Sequence, residues 1–159
     1  MEELIKKVEA WSKERGLNTA DPNKQRLKLW EEFGELNASM ARNDREGAID
    51  AIGDMLVVMI IYKQQLGYGS NELFYSGKDD IDFLGRLEDI DLIDCIGRGI
   101  YDSGNYIEGL GMVVENLTVL AYRLNMNLEE CLAAAYDEIK DRRGKMVNGV
   151  FVKESDLNG

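Results

Sequence analysis

Five acids in two neighbouring stretches are the side chains best placed to do chemistry: Glu31-Glu32-x-x-Glu35 and Asp50-x-x-x-Asp54. Spacings of three and four put each set on one face of a helix. The second set runs straight into Met55-Leu56-Val57-Val58-Met59-Ile60-Ile61-Tyr62, a helix that is apolar nearly all round and so should be interior. Carboxylates beside a buried helix are costly, because removing an ion from water carries a penalty even after relaxation. Two like charges about 6 Å apart also repel by about 3 kcal/mol at an effective dielectric near 20. A hard divalent cation reverses the sign of both effects. Oxygen-only ligands suit magnesium or manganese better than zinc or copper. Magnesium commonly binds a few carboxylates together with substrate phosphates, so the chemistry indicated is metal-assisted attack of water on a phosphate. The plainer alternative is a pair of amphipathic helices whose acids face water.

Cations and aromatics supply the rest of a candidate site. Lys140, Arg142, Arg143 and Lys145 close the last helix. They could bind a polyphosphate, or simply complement the helix dipole. Lys28 stands one turn before Glu32, where it could meet a phosphate or pair with Glu31 or Glu32. Trp30 and Tyr136 could stack on a base or sit in the core. Asp89, Asp91 and Asp94 have no apolar helix beside them and read as a solvated face. There is no histidine, which removes a Ser-His-Asp triad, a Cys-His pair and imidazole-bound zinc. Cys95 and Cys131 match no metal or redox spacing and read as small buried hydrophobes in a reducing compartment.

The elements that must hold these residues are helical. With 159 residues, 45% of them hydrophobic, the chain is expected to form one domain over 1–159 with a real core. Thirty acids against 19 bases give a net charge of −11, which argues against a nucleic-acid backbone or an anionic membrane as partner. Met1 is followed by Glu2-Glu3 with no leader pattern, and the apolar run from Met55 is too short to span a bilayer, so a cytoplasmic protein is expected. Helix one is expected over Glu3–Glu14, stopping near Gly16, with Leu4, Val8 and Trp11 on its inner face. Asp21-Pro22 starts helix two, which runs to about Arg42 with Leu29, Phe33, Leu36 and Met40 inward. Asn43-Asp44 caps helix three, which runs to Leu66. The short link makes helices two and three an antiparallel hairpin with their acids facing. Residues 67–86 read as a loop or insertion. A weaker helix from Leu87 to Tyr101 is interrupted by Gly97 and Gly99, and a better one spans Asn105–Leu124. Asn127 caps the last helix, Gly144 stops it, and Asn148-Gly149 signals a two-residue hairpin in the tail.

The run Lys28-Leu29-Trp30-Glu31-Glu32-Phe33-Gly34-Glu35-Leu36, followed by Ile49-Asp50-Ala51-Ile52-Gly53-Asp54-Met55-Leu56-Val57-Val58, resembles the MazG-like, all-α nucleoside triphosphate pyrophosphohydrolase superfamily, whose signature is EExxE, a spacer, then ExxD. The C-terminal run from Tyr136 to Phe151 resembles its short members from phages and Gram-positive bacteria. The resemblance implies an all-α bundle with a short β-hairpin tail, working as a homodimer or homotetramer. It also implies magnesium-dependent cleavage of nucleoside or deoxynucleoside triphosphates to monophosphate and pyrophosphate. On this reading Glu32, Glu35, Asp50 and Asp54 hold the metal, and Glu31 with Glu32 serves the catalytic water. Lys28, Trp30, Asp137, Lys140, Arg142 and Lys145 bind substrate. The chain departs from the signature at Ala51, where the family carries glutamate, and at Asp137, where relatives often carry asparagine. Those departures motivate the alternative of a helical binding or regulatory protein with weakened turnover.

Overall fold

The computed structural model describes residues 1–69, 84–147 and 150–154. Asp21 N-caps a helix by accepting from the Asn23 backbone N–H at 2.9 Å, with Pro22 at the first helical position where its missing donor costs nothing. Helix α2 (Pro22–Arg42) then runs until Asn43 turns left-handed at φ 55°. Asp44 caps the next helix by accepting from Gly47 N–H at 3.0 Å. The Asn43-Asp44 pair thus divides its work, one residue ending α2 and the other opening α3 (Arg45–Gln65). The two pack along their length as the expected hairpin. Before them lie α1 (Glu2–Glu14) and a 3-10 turn at Leu17–Thr19, joined at Gly16 with φ 70°. After them come α4 (Asp89–Asp102), α5 (Gly109–Arg123) and α6 (Leu128–Ile139). Strands β1 (Gly144–Val147) and β2 (Val150–Lys153) form an antiparallel pair.

Helix α3 is the axis of the fold. Every residue from Met55 to Lys63 is buried, as are Ala48 and Ala51 to Gly53. Helices α1, α2, α5 and α6 all pack on it, and α4 packs against α2 and α5. Each fully buried Leu, Ile or Met contributes about 1.5–3 kcal/mol relative to exposure, so this helix is held by its surroundings rather than by its own propensity. Close approach of α6 depends on Gly53. A Cβ there would fall 2.5 Å from the Cys131 carbonyl oxygen and 2.9 Å from the Ala135 Cβ.

The later elements depart from the expected boundaries. Gly97 and Gly99 do not interrupt α4, which is continuous from Asp89 to Asp102. Gly99 instead permits contact with α5, since a Cβ there would lie 2.7 Å from the Gly109 carbonyl oxygen. Helix α5 starts at Gly109 rather than Asn105; residues before it form turns around Tyr106. Helix α6 opens with Asn127 as its cap, as expected, in a reciprocal capping box with Glu130, but it ends at Ile139, so Arg142, Arg143 and Lys145 follow it rather than lie on it. Gly144 begins β1 instead of stopping a helix. Asp89 pairs with Arg123, and Asp91 accepts from the Glu88 backbone N–H. Most of the expected loop at 67–86 and the expected turn at Asn148-Gly149 lie outside the described residues; Val147 pairs with Val150. Among the described residues no helix is long and apolar enough to cross a membrane.

Candidate active site

A cleft of about 720 Å³ opens between α2 up to Glu35, α3 from Asp50 to Ile61, the end of α6 and strand β2. One end is acidic: Glu31, Glu32 and Glu35 come from α2, Asp50 and Asp54 from α3, and Glu138 from α6. Helical spacing turns both acidic sets toward the same space, and the short Asn43-Asp44 link sets them opposite one another. The other end is largely apolar, walled by Val57, Val58 and Ile61 of α3 with Trp11, Leu17, Phe151 and Val152. Lys28 and Arg142 stand among the acids, and Lys24, Gln25 and Asp21 complete the rim. Gln25 is tied down by donating to the Val58 carbonyl oxygen at 3.3 Å.

The acids differ in their surroundings. Glu32 is buried, 3% exposed, while Glu31, Glu35 and Asp50 are exposed and Asp54 is half-buried. Lys28 Nζ lies 2.7 Å from Glu32 Oε1 and 3.1 Å from Glu31 Oε1. Burial raises the Glu32 carboxyl above its ordinary range; Lys28 opposes that rise, and the charges of Glu35 and Glu31 add to it. Asp54 is pushed up to about 6, first by burial and then by the charges of Glu32 and Asp50, with Arg142 pulling the other way and Glu138 adding a little. Partial burial would lower the Lys28 ammonium, but its hydrogen bonds and attraction to Glu32 and Glu31 leave it raised.

Arg142 reaches the cleft because the chain after α6 is clamped from outside. Trp11 Nε1 donates to the Ile139 carbonyl oxygen at 2.8 Å. Arg15 lies over the Trp11 ring at 4.6 Å and donates to the Arg142 carbonyl oxygen at 3.0 Å and to that of Lys140 at 3.4 Å. The Ile139 carbonyl oxygen also accepts from the Arg142 backbone N–H at 2.9 Å, so side chains and backbone together fix the turn that follows the helix.

The cleft therefore gathers seven of the residues singled out in the sequence: Lys28, Glu31, Glu32, Glu35, Asp50, Asp54 and Arg142. The remaining substrate candidates lie elsewhere. Trp30 is partly exposed and packs edge-on against Phe33 at 6.0 Å. Asp137 and Lys140 pair with each other at 2.7 Å on the exposed side of the turn. Lys145 is exposed on β1. Tyr136 is half-buried with Lys7 over its ring. The aromatics that do line the cleft are Trp11 and Phe151, in edge contact at 5.9 Å. No local signal pointed to them, nor to Glu138, because α1 and β2 meet the site only through the tertiary fold.

The donor set suits a hard divalent cation. It is made of carboxylate oxygens, and both the burial that chiefly raises Asp54 and the repulsion from Glu32 and Asp50 that adds to it are costs such an ion would relieve. The side chains as they stand form no ready cage: among the described residues, no three acidic, His or Cys side chains are grouped closely enough to hold an ion, and Lys28 engages Glu32.

No protein-family model matches the chain, and no solved structure matches it. A relative occurs in Haemophilus phage HP1 (strain HP1c1), an uncharacterized 18.2 kDa protein of the rep-hol intergenic region. It is 44% identical over 66 residues, which are 41% of this chain and 40% of that protein. Its name carries no activity, so a functional reading rests on the cleft.

Proposed function

We propose that the cleft binds a nucleoside or deoxynucleoside triphosphate and, with magnesium, hydrolyses it to the monophosphate and pyrophosphate. One observation carries the reading: Glu32, Glu35, Asp50 and Asp54 line a single cleft together with three cations, Lys24, Lys28 and Arg142, and an apolar wall. A triphosphate nucleotide needs those three things, a metal site, counter-charge and a dry surface for the base. Glu32, Glu35, Asp50 and Asp54 would hold magnesium, with manganese as a substitute. The bound ion supplies positive charge to the triphosphate and acidity to the attacking water. Glu31, exposed beside that group, accepts the proton from the water. Arg142 offsets charge on the leaving pyrophosphate, and its fixed backbone reduces the reorganisation this requires. The wall of Val57, Val58 and Ile61, closed by Phe151, receives the nucleoside. Such an enzyme would act in the cytoplasm on the nucleotide pool, as a homodimer or homotetramer.

A second reading is a helical protein that binds nucleotide without turnover. Its support is Ala51, which stands where the family signature carries an acid and is 2% exposed in the core, outside the lining of the cleft. Incubation with each common ribo- and deoxyribonucleoside triphosphate plus Mg²⁺, followed by assay of pyrophosphate, separates the two. Release with at least one substrate supports the hydrolase; a folded protein that binds nucleotide and releases none supports the binding protein.

A further inference from the structure

We propose that Lys28 is a built-in counter-ion that a divalent cation must displace from Glu32, and that the freed ammonium then takes up phosphate. The inference rests on the reading of the cleft as a metal-dependent nucleotide site, and it adds an order of events to that reading. Glu32 is enclosed: its side chain is only 5% exposed. Lys28 is more open: its side chain is 44% exposed and sits on a flexible four-carbon stem. The ion pair has Lys four residues before Glu, the less favourable orientation on a helix, so it adds little to the helix itself. Its physical effect is to neutralise a buried carboxylate at 2.7 Å that would otherwise stand uncompensated beside Glu35 and Asp54. A divalent cation brings two charges to the same oxygen and repels the ammonium at short range. Lys28 can leave without losing its anchor, since Glu31 holds it at 3.1 Å on the solvent side. There it lies at the rim of the cleft, where a triphosphate drawn in by the metal would meet it. Metal and lysine thus compete for one carboxylate, and then cooperate on the substrate.

The two halves of this device predict opposite effects from one substitution. Mn²⁺ binding is followed by electron paramagnetic resonance on the whole chain without nucleotide. Lys28→Met should bind the ion about 5- to 10-fold more tightly than the natural protein. With Mn²⁺ saturating, a non-hydrolysable α,β-methylene triphosphate should bind it about 10-fold more weakly. Lys28→Gln, which keeps a donor for Glu32 but no charge, should behave alike and serves if the methionine variant does not fold. Unchanged or weaker Mn²⁺ binding by a folded variant would overturn the proposal while leaving pyrophosphate release by the natural protein intact. Tighter Mn²⁺ binding in a protein that releases no pyrophosphate would uphold the displacement and remove the hydrolase reading. Failure of natural protein and variants alike to bind Mn²⁺ would overturn both.

Discussion

The indole N–H of Trp11 reaches across from α1 to the carbonyl oxygen of Ile139, 2.8 Å away, at the last residue of α6. That bond and the Arg15 contacts stop α6 where Arg142 can enter the cleft. Trp11→Phe keeps most of the apolar volume but removes one of two donors to the Ile139 carbonyl oxygen, the other being the Arg142 backbone N–H at 2.9 Å. It should cost about 0.5–1.5 kcal/mol in chemical denaturation, the net contribution of one hydrogen bond. The affinity for a triphosphate should fall with it, because the turn that presents Arg142 is loosened.

Gly34 and Gly53 both lie inside helices, yet alanine should act on them with opposite signs. At Gly34 nothing lies within 4 Å of a new Cβ, so Gly34→Ala should stabilise the protein by about 0.5–1 kcal/mol through backbone entropy. At Gly53 the same methyl meets the Cys131 carbonyl oxygen at 2.5 Å. Helix α6 must back away, and Gly53→Ala should cost about 1–3 kcal/mol. Paired thermal melts check the contrast.

Much of the first half of the fold was legible because its signals are local. Asp21-Pro22 and Asn43-Asp44 announce helix ends through their own side chains, and the period of α3 announces burial. The acids were legible for the same reason, since spacing on two adjoining helices decides what they face. The end of α6 was not legible: basic residues continue to Lys145, but Trp11 and Arg15 from the far end of the chain take the last carbonyls, and Gly144 is drawn into a strand against Lys153. The glycines of α4 misled for a related reason. Alone they weaken a helix, but at Gly99 the missing side chain is what lets α5 approach.

Phe151 offers a check on which end of the cleft takes the nucleoside. Removing its ring with Phe151→Ala should raise KM for a nucleoside triphosphate about 10-fold, the effect of losing one stacking or apolar contact with a base. Binding of inorganic triphosphate should stay the same. An equal loss for both ligands would place the base elsewhere.

The raised Asp54 carboxyl gives a pH signature. Its ordinary value is 3.8 and in the fold it lies at about 6, so the folded protein holds a proton that the unfolded chain gives up between those values. Metal-free stability should therefore fall as pH rises through that window and level off above it. Asp54→Asn should flatten the slope. Because a cation needs the ionised form, stabilisation by Mg²⁺ should be weak below the window and strong above it. Thermal melts with and without Mg²⁺ across this range test both statements.

The central claim is that four acids from α2 and α3 close on one cation that a triphosphate also touches. Anomalous scattering from a crystal grown with Mn²⁺ and an α,β-methylene nucleoside triphosphate tests it most directly. The account predicts a manganese peak bounded by Glu32, Glu35, Asp50 and Asp54, with phosphate oxygens on its open side and Lys28 turned toward them. A nucleotide bound with no metal between those carboxylates, and Lys28 still on Glu32, would contradict it.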